Sequence, residues 1–488
     1  MDDKLKKKIF SSLIWKFLER GGTQGIQFIL QLFLARLLTP KDYGTIALIT
    51  IFINIAGVFI DSGFNTALIQ QKDIDEEDIS SVFYTSLVTS ISIYIIIYFV
   101  APLIANFYKI QELVSIIRVL SIILIIGVFN SVQSAIVSRR MEFKSFFFSN
   151  LGATTISGIV GIILAYKGFG VWTLVYQQIV NQIVGFIILY SRIKWKPKLL
   201  FSIKKVKKLF SYGSKLLCSA LIDTVYRNLI GLIVGRTYSS TMLAYYNRGD
   251  SFPALIVGNL NGSIQAVIFP ALASIQHDKE RVKELMRRAI TTSSFIVFPA
   301  MLGLMAIAEP MIKLILTDKW LPCVPYLRVF CLSYILWPIH TANLQAINAI
   351  GRSDIFLKLE IVKKIVGIGT LLITSKYSPY IMALGVAFSG VICSFINSYP
   401  NKKLLNYSYL EQMKDILPSS ISSLIMGVIV YSITLLKISD LITIVIQIFV
   451  GIFIYITLSY LFKVESFIYL LNTICKKKET KLCKKFYC

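Results

Sequence analysis

The stretch Trp15-Lys-Phe-Leu-Glu-Arg20-Gly-Gly-Thr-Gln-Gly25-Ile-Gln-Phe-Ile-Leu30-Gln-Leu-Phe-Leu-Ala35 places its polar groups at a helical spacing. Lys16, Arg20, Gln24, Gln27 and Gln31 recur every three or four residues with Glu19 and Thr23 beside them, and the opposite face is apolar. The run reaches the roughly 20 residues that cross a hydrocarbon core, so it reads as a membrane helix with one polar stripe. Residues 1–8 are basic, but Lys16, Glu19 and Arg20 interrupt the apolar run and no small-residue cleavage site follows. The reading is a retained first helix rather than a signal peptide.

Outward from this helix, apolar runs alternate with short polar or Gly/Pro-marked breaks to residue 463. They give fourteen spans: 11–38, 44–69, 82–107, 113–137, 146–166, 169–191, 209–235, 241–269, 289–316, 325–350, 356–375, 379–399, 416–437 and 440–463. The break between the fifth and sixth rests on a tight Gly-containing turn at 167–170. The chain is 55% hydrophobic, 16% charged and has a mean hydropathy of +0.69, which excludes an ordinary soluble domain. The fold class is therefore an all-α integral membrane protein.

Lys and Arg outnumber Asp and Glu by 51 to 26, which in a soluble chain would raise nucleic acid as a partner. Here the charges sit between spans and read as topology signals and contacts with anionic lipid, with no nucleic acid. With the N-terminus in the cytoplasm, one side collects Lys4–Lys8, Arg139, Arg140, Lys144, the stretches 192–208 and 279–288, Arg352, Lys402, Lys403 and the tail. The other side holds little beyond Lys41, Lys109, Lys167, Arg236, Lys319, Lys376 and Lys437. Both termini are expected in the cytoplasm. One loop dissents: Lys72 is followed by Asp73, Asp75, Glu76, Glu77 and Asp78.

The stretch 192–208 carries eight basic residues and no acid, and reads as a linker between two lobes. The sequence around Arg36 answers that around Arg236, residues 67–70 answer 273–276, and Gly170-Val171 answers Gly385-Val386, at offsets of 200, 206 and 215. Matches in one order with a slowly growing offset indicate a six-helix unit repeated in parallel. The expected organisation is a lobe at 1–191, a basic cytoplasmic linker at 192–208, a second lobe at 209–400, two added helices at 401–463 and a basic cytoplasmic tail at 464–488.

An ionisable side chain at mid-bilayer costs roughly 2.5 to 3.5 kcal/mol on insertion scales, so each needs a partner or an aqueous cavity. In span seven Lys215, Ser219, Asp223 and Arg227 recur every four residues, and this helix holds the same place in its lobe as the first. Two matched stripes predict a hydrated cleft that takes the substrate; interhelical packing is the rival reading for any one residue. Further candidates are Asp61, Arg118, Gln178, Asn181, Gln182, Arg248, Asp250 and His340. Arg118 and Arg248 lie near span ends, where a long side chain can snorkel. Neither Gly21-Gly22 nor Gly168-Phe-Gly170 fits a nucleotide loop, and Cys218, Cys323, Cys331, Cys393, Cys475, Cys483 and Cys488 lack metal-ligand spacing.

Leu38-Thr-Pro-Lys-Asp-Tyr-Gly44, Asp61-Ser-Gly-Phe-Asn-Thr-Ala-Leu-Ile-Gln-Gln-Lys-Asp73, Gly168-Phe-Gly-Val-Trp-Thr-Leu-Val175 and Phe269-Pro-Ala-Leu272 resemble the polysaccharide transport (Wzx-like) family of the multidrug/oligosaccharidyl-lipid/polysaccharide flippase superfamily. The resemblance implies two six-helix lobes in a V, with extra helices in some members. It also implies transport of a polyprenyl-pyrophosphate-linked oligosaccharide from the cytoplasmic to the outer leaflet of the bacterial cytoplasmic membrane by alternating access. Carried onto this chain, Lys16, Arg20, Lys215 and Arg227 are expected to hold the pyrophosphate. Glu19, Asp61, Asp223 and Asp250 are expected as charge partners or sites for a coupling proton or sodium ion, with no other cofactor and no metal. Gln24, Gln27, Gln31, Gln178, Asn181 and Arg248 are further cleft candidates, and a polymerase and glycosyltransferases are candidate partners. A drug exporter of the same superfamily is the runner-up, but the two stripes hold four basic and two acidic residues where cationic drugs call for acids. A polymerase or ligase of the same pathway needs a substantial outward loop with catalytic groups, and the outward connections are short.

Overall fold

The computed structural model describes residues 3–61, 68–69, 74–436, 438–469 and 471–472, and every regular element among them is helical. In chain order these are α1 Asp3–Leu37, α2 Pro40–Asp61, α3 Glu76–Tyr108, α4 Leu113–Leu120, α5 Ile122–Arg140, α6 Phe143–Tyr166, α7 Val171–Ile193 and α8 Ile203–Thr237. They continue with α9 Ser240–Ser274, α10 Lys279–Leu316, α11 Val324–Tyr334, α12 Trp337–Ala349, α13 Ser353–Thr374, α14 Pro379–Leu405, α15 Tyr409–Ser432 and α16 Asp440–Leu461. Short 3-10 turns cover Asp318–Cys323 and Ile433–Leu436. Each expected span falls on a helix or a pair joined end to end, except that the second, 44–69, extends past the end of α2 at Asp61 into residues outside the described ones. The fifth and sixth are separate helices, turned by Gly168 and Gly170 at φ of 78° and 51°, where a side chain would be strained.

Twelve stretches among the described residues are long and apolar enough to cross a membrane, so the chain is a multi-pass membrane protein. Helices α1 and α13, which cover the expected spans 11–38 and 356–375, stand outside that twelve. Both carry charge along their length, α13 as Lys358, Glu360, Lys363 and Lys364.

Local sequence explains the helix ends. Thr39 caps α2 with Pro40 in the first helical position, where a missing N–H costs nothing. The Asp42 carboxylate accepts from the Thr39 N–H at 2.9 Å and from its hydroxyl at 2.7 Å, while the Asp42 N–H donates to Thr39 Oγ1 at 3.3 Å. Two residues on, Gly44 lies so close to the Ser240 carbonyl that a Cβ would stand 1.8 Å from its oxygen. Asp75 caps α3 by the same reciprocal bonding with Asp78, and Pro338 marks the break between α11 and α12.

The chain divides into two compact units, Met1–Ala244 and Tyr245–Cys488. In the first, α8 packs on α2 and α3, and α1 packs on α6, where Leu30 fills the space beside Gly158. The dissenting acidic loop finds its counter-charge here: Lys205 Nζ lies 2.5 Å from Asp75 and 2.7 Å from Glu77. In the second unit, Asn343 of α12 bonds Gln412 of α15 at 2.8 Å and accepts from Asn401 of α14 at 2.7 Å, all three fully buried. The Tyr455 hydroxyl of α16 donates to the Phe295 carbonyl of α10 at 2.8 Å. Buried polar groups are satisfied by such partners, and these fix α15 and α16 to the unit. The tail cysteines Cys475, Cys483 and Cys488 lie outside the described residues, as do the side chains of Asp61 and Lys215.

Candidate functional site

Helix α8 carries Arg227, a basic candidate that lines a cavity. Arg227, Gly231 and Gly235 follow at four-residue intervals and share a face. A Cβ on Gly231 would meet Ile51 at 2.7 Å and one on Gly235 would meet Leu48 at 2.1 Å, so the glycines let α8 lie directly on α2. One turn before them, that same face carries Arg227 to the side of α2 where Thr50 and Asn54 stand. The Arg227 Nε donates to Asp223 Oδ2 at 2.7 Å, an i, i+4 pair on the expected stripe.

Helix α7 supplies the facing wall through Gln178 and Gln182, again one turn apart. Asn130 of α5 donates from Nδ2 to the Gln182 side-chain oxygen at 2.8 Å and to its carbonyl at 3.0 Å, which fixes the amide toward the space. Between α2, α5, α7 and α8 lies a cavity of about 580 Å³ lined by Thr50, Asn54, Gln178, Gln182, Thr224, Arg227 and Asn228, with Gly57 and Gly127 among its apolar neighbours. Arg227 is the charged group in that lining. It sits near the middle of the span 216–237, about 15 Å from its far end at 1.5 Å per residue.

A guanidinium there has a specific use. With Nε held by Asp223, the outer edge bearing the two Nη groups makes no other hydrogen bond among the described residues. That edge matches two oxygens of a phosphate or carboxylate. The neutral amides around it can bond hydroxyl groups without competing for charge.

The stripe on α1 divides. Glu19 is buried, 8% exposed, and accepts from Asn150 Nδ2 of α6 at 2.7 Å, while Lys16 Nζ stands 2.8 Å from its other oxygen and near the rings of Phe143 and Phe146. Arg20 and Gln27 are exposed, Gln24 and Gln31 half-buried, and none of them lines the cavity. Asn181 turns away from it and donates to Ser157 of α6 at 3.1 Å. Arg118 donates to the Tyr98 carbonyl at 3.2 Å and lies over that ring. In the second unit, Asp250 accepts from the Tyr334 hydroxyl at 3.1 Å, Arg248 lies over Trp320, and His340 bonds Asn397 at 3.0 Å.

Sequence reading passed over Thr50, Asn54, Asn130 and Asn228. Each follows a helical interval from another polar residue, Thr50 to Asn54 and Thr224 to Asn228, and that spacing was the available signal. It also passed over Lys363, whose Nζ lies 2.5 Å from Glu360 on α13. Four charges in seven residues of an apolar helix were the signal there. Among the described residues no group of three or more His, Cys, Asp or Glu could hold a metal ion.

Comparison with known proteins agrees with the fold. A solved structure described as the lipid II flippase MurJ, inward closed conformation, superposes with a TM-score of 0.74 at 20% identity, covering 91% of this chain and 98% of that one. The succinoglycan biosynthesis transport protein ExoT of Rhizobium meliloti is 23% identical over 69% of this chain and 68% of its own length. The lipopolysaccharide biosynthesis protein WzxC of Escherichia coli is 22% identical over 85% of this chain and 83% of its own. The family described as polysaccharide biosynthesis protein matches residues 33–325, more than half of the sequence, and the chain belongs to that family.

Proposed function

We propose that this protein is a transporter, not an enzyme, which moves a polyprenyl-pyrophosphate-linked oligosaccharide across the bacterial cytoplasmic membrane for surface polysaccharide synthesis. The observation that carries the reading is the mid-span cavity of the first unit, half polar in its lining and with Arg227 as its charged group. The Nη edge of Arg227 takes the pyrophosphate, Asp223 holds the guanidinium in register, and Gln178, Gln182, Asn54 and Asn228 bond phosphate or sugar oxygens. The names of the relatives ExoT and WzxC support a transport role in polysaccharide biosynthesis. The lipid-linked cargo of the superposed lipid II flippase supports the substrate class.

In this reading the lobes are 1–191 and 209–400, joined by a cytoplasmic linker, and both termini face the cytoplasm. Lys16, Arg20 and Lys215 draw the anionic headgroup toward Arg227, and alternating access carries it over. A proton or sodium ion couples the cycle through Glu19, Asp61, Asp223 or Asp250. The outer-leaflet product passes to a polymerase.

Depletion of the protein tests this. The expected result is a complete lipid-linked saccharide unit that accumulates on the cytoplasmic side while surface polymer falls. A truncated saccharide unit would assign the chain to the enzymes that build it. Unchanged lipid-linked pools with altered drug tolerance would assign it to drug export.

A further inference from the structure

We propose that the segment joining α7 to α8 is an interfacial lipid site, which binds one acyl chain of an anionic phospholipid in an apolar groove and its headgroup on the flanking lysines. The segment is pinned along α3 at four points. Trp195 is buried with its ring 5.9 Å from that of Phe83, the Lys198 N–H donates to Ser80 Oγ at 3.1 Å, and the Ser202 N–H donates to Ser81 Oγ at 3.0 Å. Lys205 closes the series on Asp75 and Glu77. Between pins, side chains that could turn inward instead stand out: Leu199 is 94% exposed, Ile203 67% and Phe201 55%.

These side chains and α3 enclose a groove of about 540 Å³, lined by Tyr84, Val88, Leu199, Phe201, Ile203 and Val206 among others. The lining is almost wholly carbon. Tyr84 and Val88 lie 8 and 12 residues beyond Glu76, the first residue of α3, about 12 and 18 Å along the axis. With Glu76 set at the outer edge of a headgroup layer roughly 5 to 8 Å thick, the groove reaches hydrocarbon depth. An acyl chain fits that depth and chemistry. The charge around it selects the lipid: Lys196, Lys204 and Lys207 are exposed and form no ion pair among the described residues, and Lys204 and Lys207 adjoin the groove residues Ile203 and Val206 on α8. A cluster of lysines beside an interfacial apolar surface attracts anionic lipid. The groove is distinct from the Arg227 cavity and shares no lining residue with it.

The test is native mass spectrometry of the full chain with phosphatidylglycerol and phosphatidylcholine of identical acyl chains. The wild type is expected to retain phosphatidylglycerol at least about tenfold better, the scale of a few near-surface lysines. Combined Lys196→Gln, Lys204→Gln and Lys207→Gln should bring the two lipids to parity. Val88→Trp, which fills the groove without touching a charge, should lower occupancy by both. Equal retention by the wild type, a preference that survives the three lysine changes, or occupancy left unchanged by Val88→Trp overturns the proposal. Displacement of phosphatidylglycerol by equimolar undecaprenyl pyrophosphate also overturns it, since the groove then belongs to the transported lipid.

Discussion

Replacing Arg227 separates substrate contact from packing. Its side chain is 76% exposed and its Nε is bonded to Asp223 at 2.7 Å, so the Nη edge is available to a ligand and little of the residue is packed. A hydrogen bond to a charged partner contributes roughly 1.5 to 3 kcal/mol, which converts to about ten- to a hundred-and-fifty-fold in affinity. Arg227→Ala should weaken binding of a polyprenyl pyrophosphate saccharide to the purified protein in nanodiscs by that range. Arg227→Lys should recover part of it, because charge survives while the planar fork is lost. Asp223→Asn should weaken binding less than Arg227→Ala does in the same assay, because the guanidinium keeps its charge but loses the carboxylate that holds it in register. Protein amount in the membrane should stay at the wild-type level for all three. If Arg227→Ala binds and transports within twofold of the wild type, or if its only effect is depletion of the protein, the assignment of this side chain to the substrate is refuted.

Gly57 and Gly127 line the cavity and a Cβ on either meets nothing within 4 Å, so Gly57→Leu and Gly127→Leu should leave abundance unchanged while transport of lipid-linked saccharide falls. Gly44→Ala drives a Cβ into the Ser240 carbonyl and should lower the melting temperature in detergent, since overpacking costs roughly 1 to 3 kcal/mol. Gly25→Ala, with open space around it, should be neutral or stabilising by up to about 1 kcal/mol. The junction of α3 and α8 should depend on pH through Asp75, which the Lys205 ammonium and the Asp78 N–H hold at about 2, below its ordinary 3.8. A depressed carboxyl stabilises above its ordinary value, so protection factors for the Lys198 and Ser202 amides should be level near neutrality and fall as pH drops from about 4 to about 2. Lys205 is raised by the same partners, so its contribution persists until pH rises through that raised value.

Helices were legible where local chemistry decides them. The turn at 167–170 was read from its glycines, whose positive φ angles favour that residue, whereas the capping set Thr39, Pro40 and Asp42 starts α2 four residues ahead of the expected 44. The charged helices α1 and α13 show the limit of hydropathy alone. Averaging over a window hides the apolar face of a striped helix, whereas the spacing of Lys16, Arg20 and Gln24 keeps it visible. The acidic loop after α2 could not be resolved from sequence, because a carboxylate cluster weighs little in topology. Its meaning came from Lys205, 130 residues away from Asp75, at 2.5 Å.

The candidate site was half legible, for a reason that lies in membrane energetics. Arg227 and Asp223 stood out because a charge in a span is costly and an interval of four aligns them. Thr50, Asn54 and Asn228 did not, since a neutral amide or hydroxyl is tolerated in many packed helices. What joins them is a tertiary event: Gly231 and Gly235 admit Ile51 and Leu48, and that close approach sets one face of α8 against α2. The stripe on α1 looked equivalent to that on α8, yet Glu19 is engaged by Asn150, and Leu30 of the same helix fills the space beside Gly158. Spacing reports which residues share a face. Which face meets a cavity depends on where the small residues let the helices approach, so glycines one and two turns from a charge within a span point to a site better than the charge does alone.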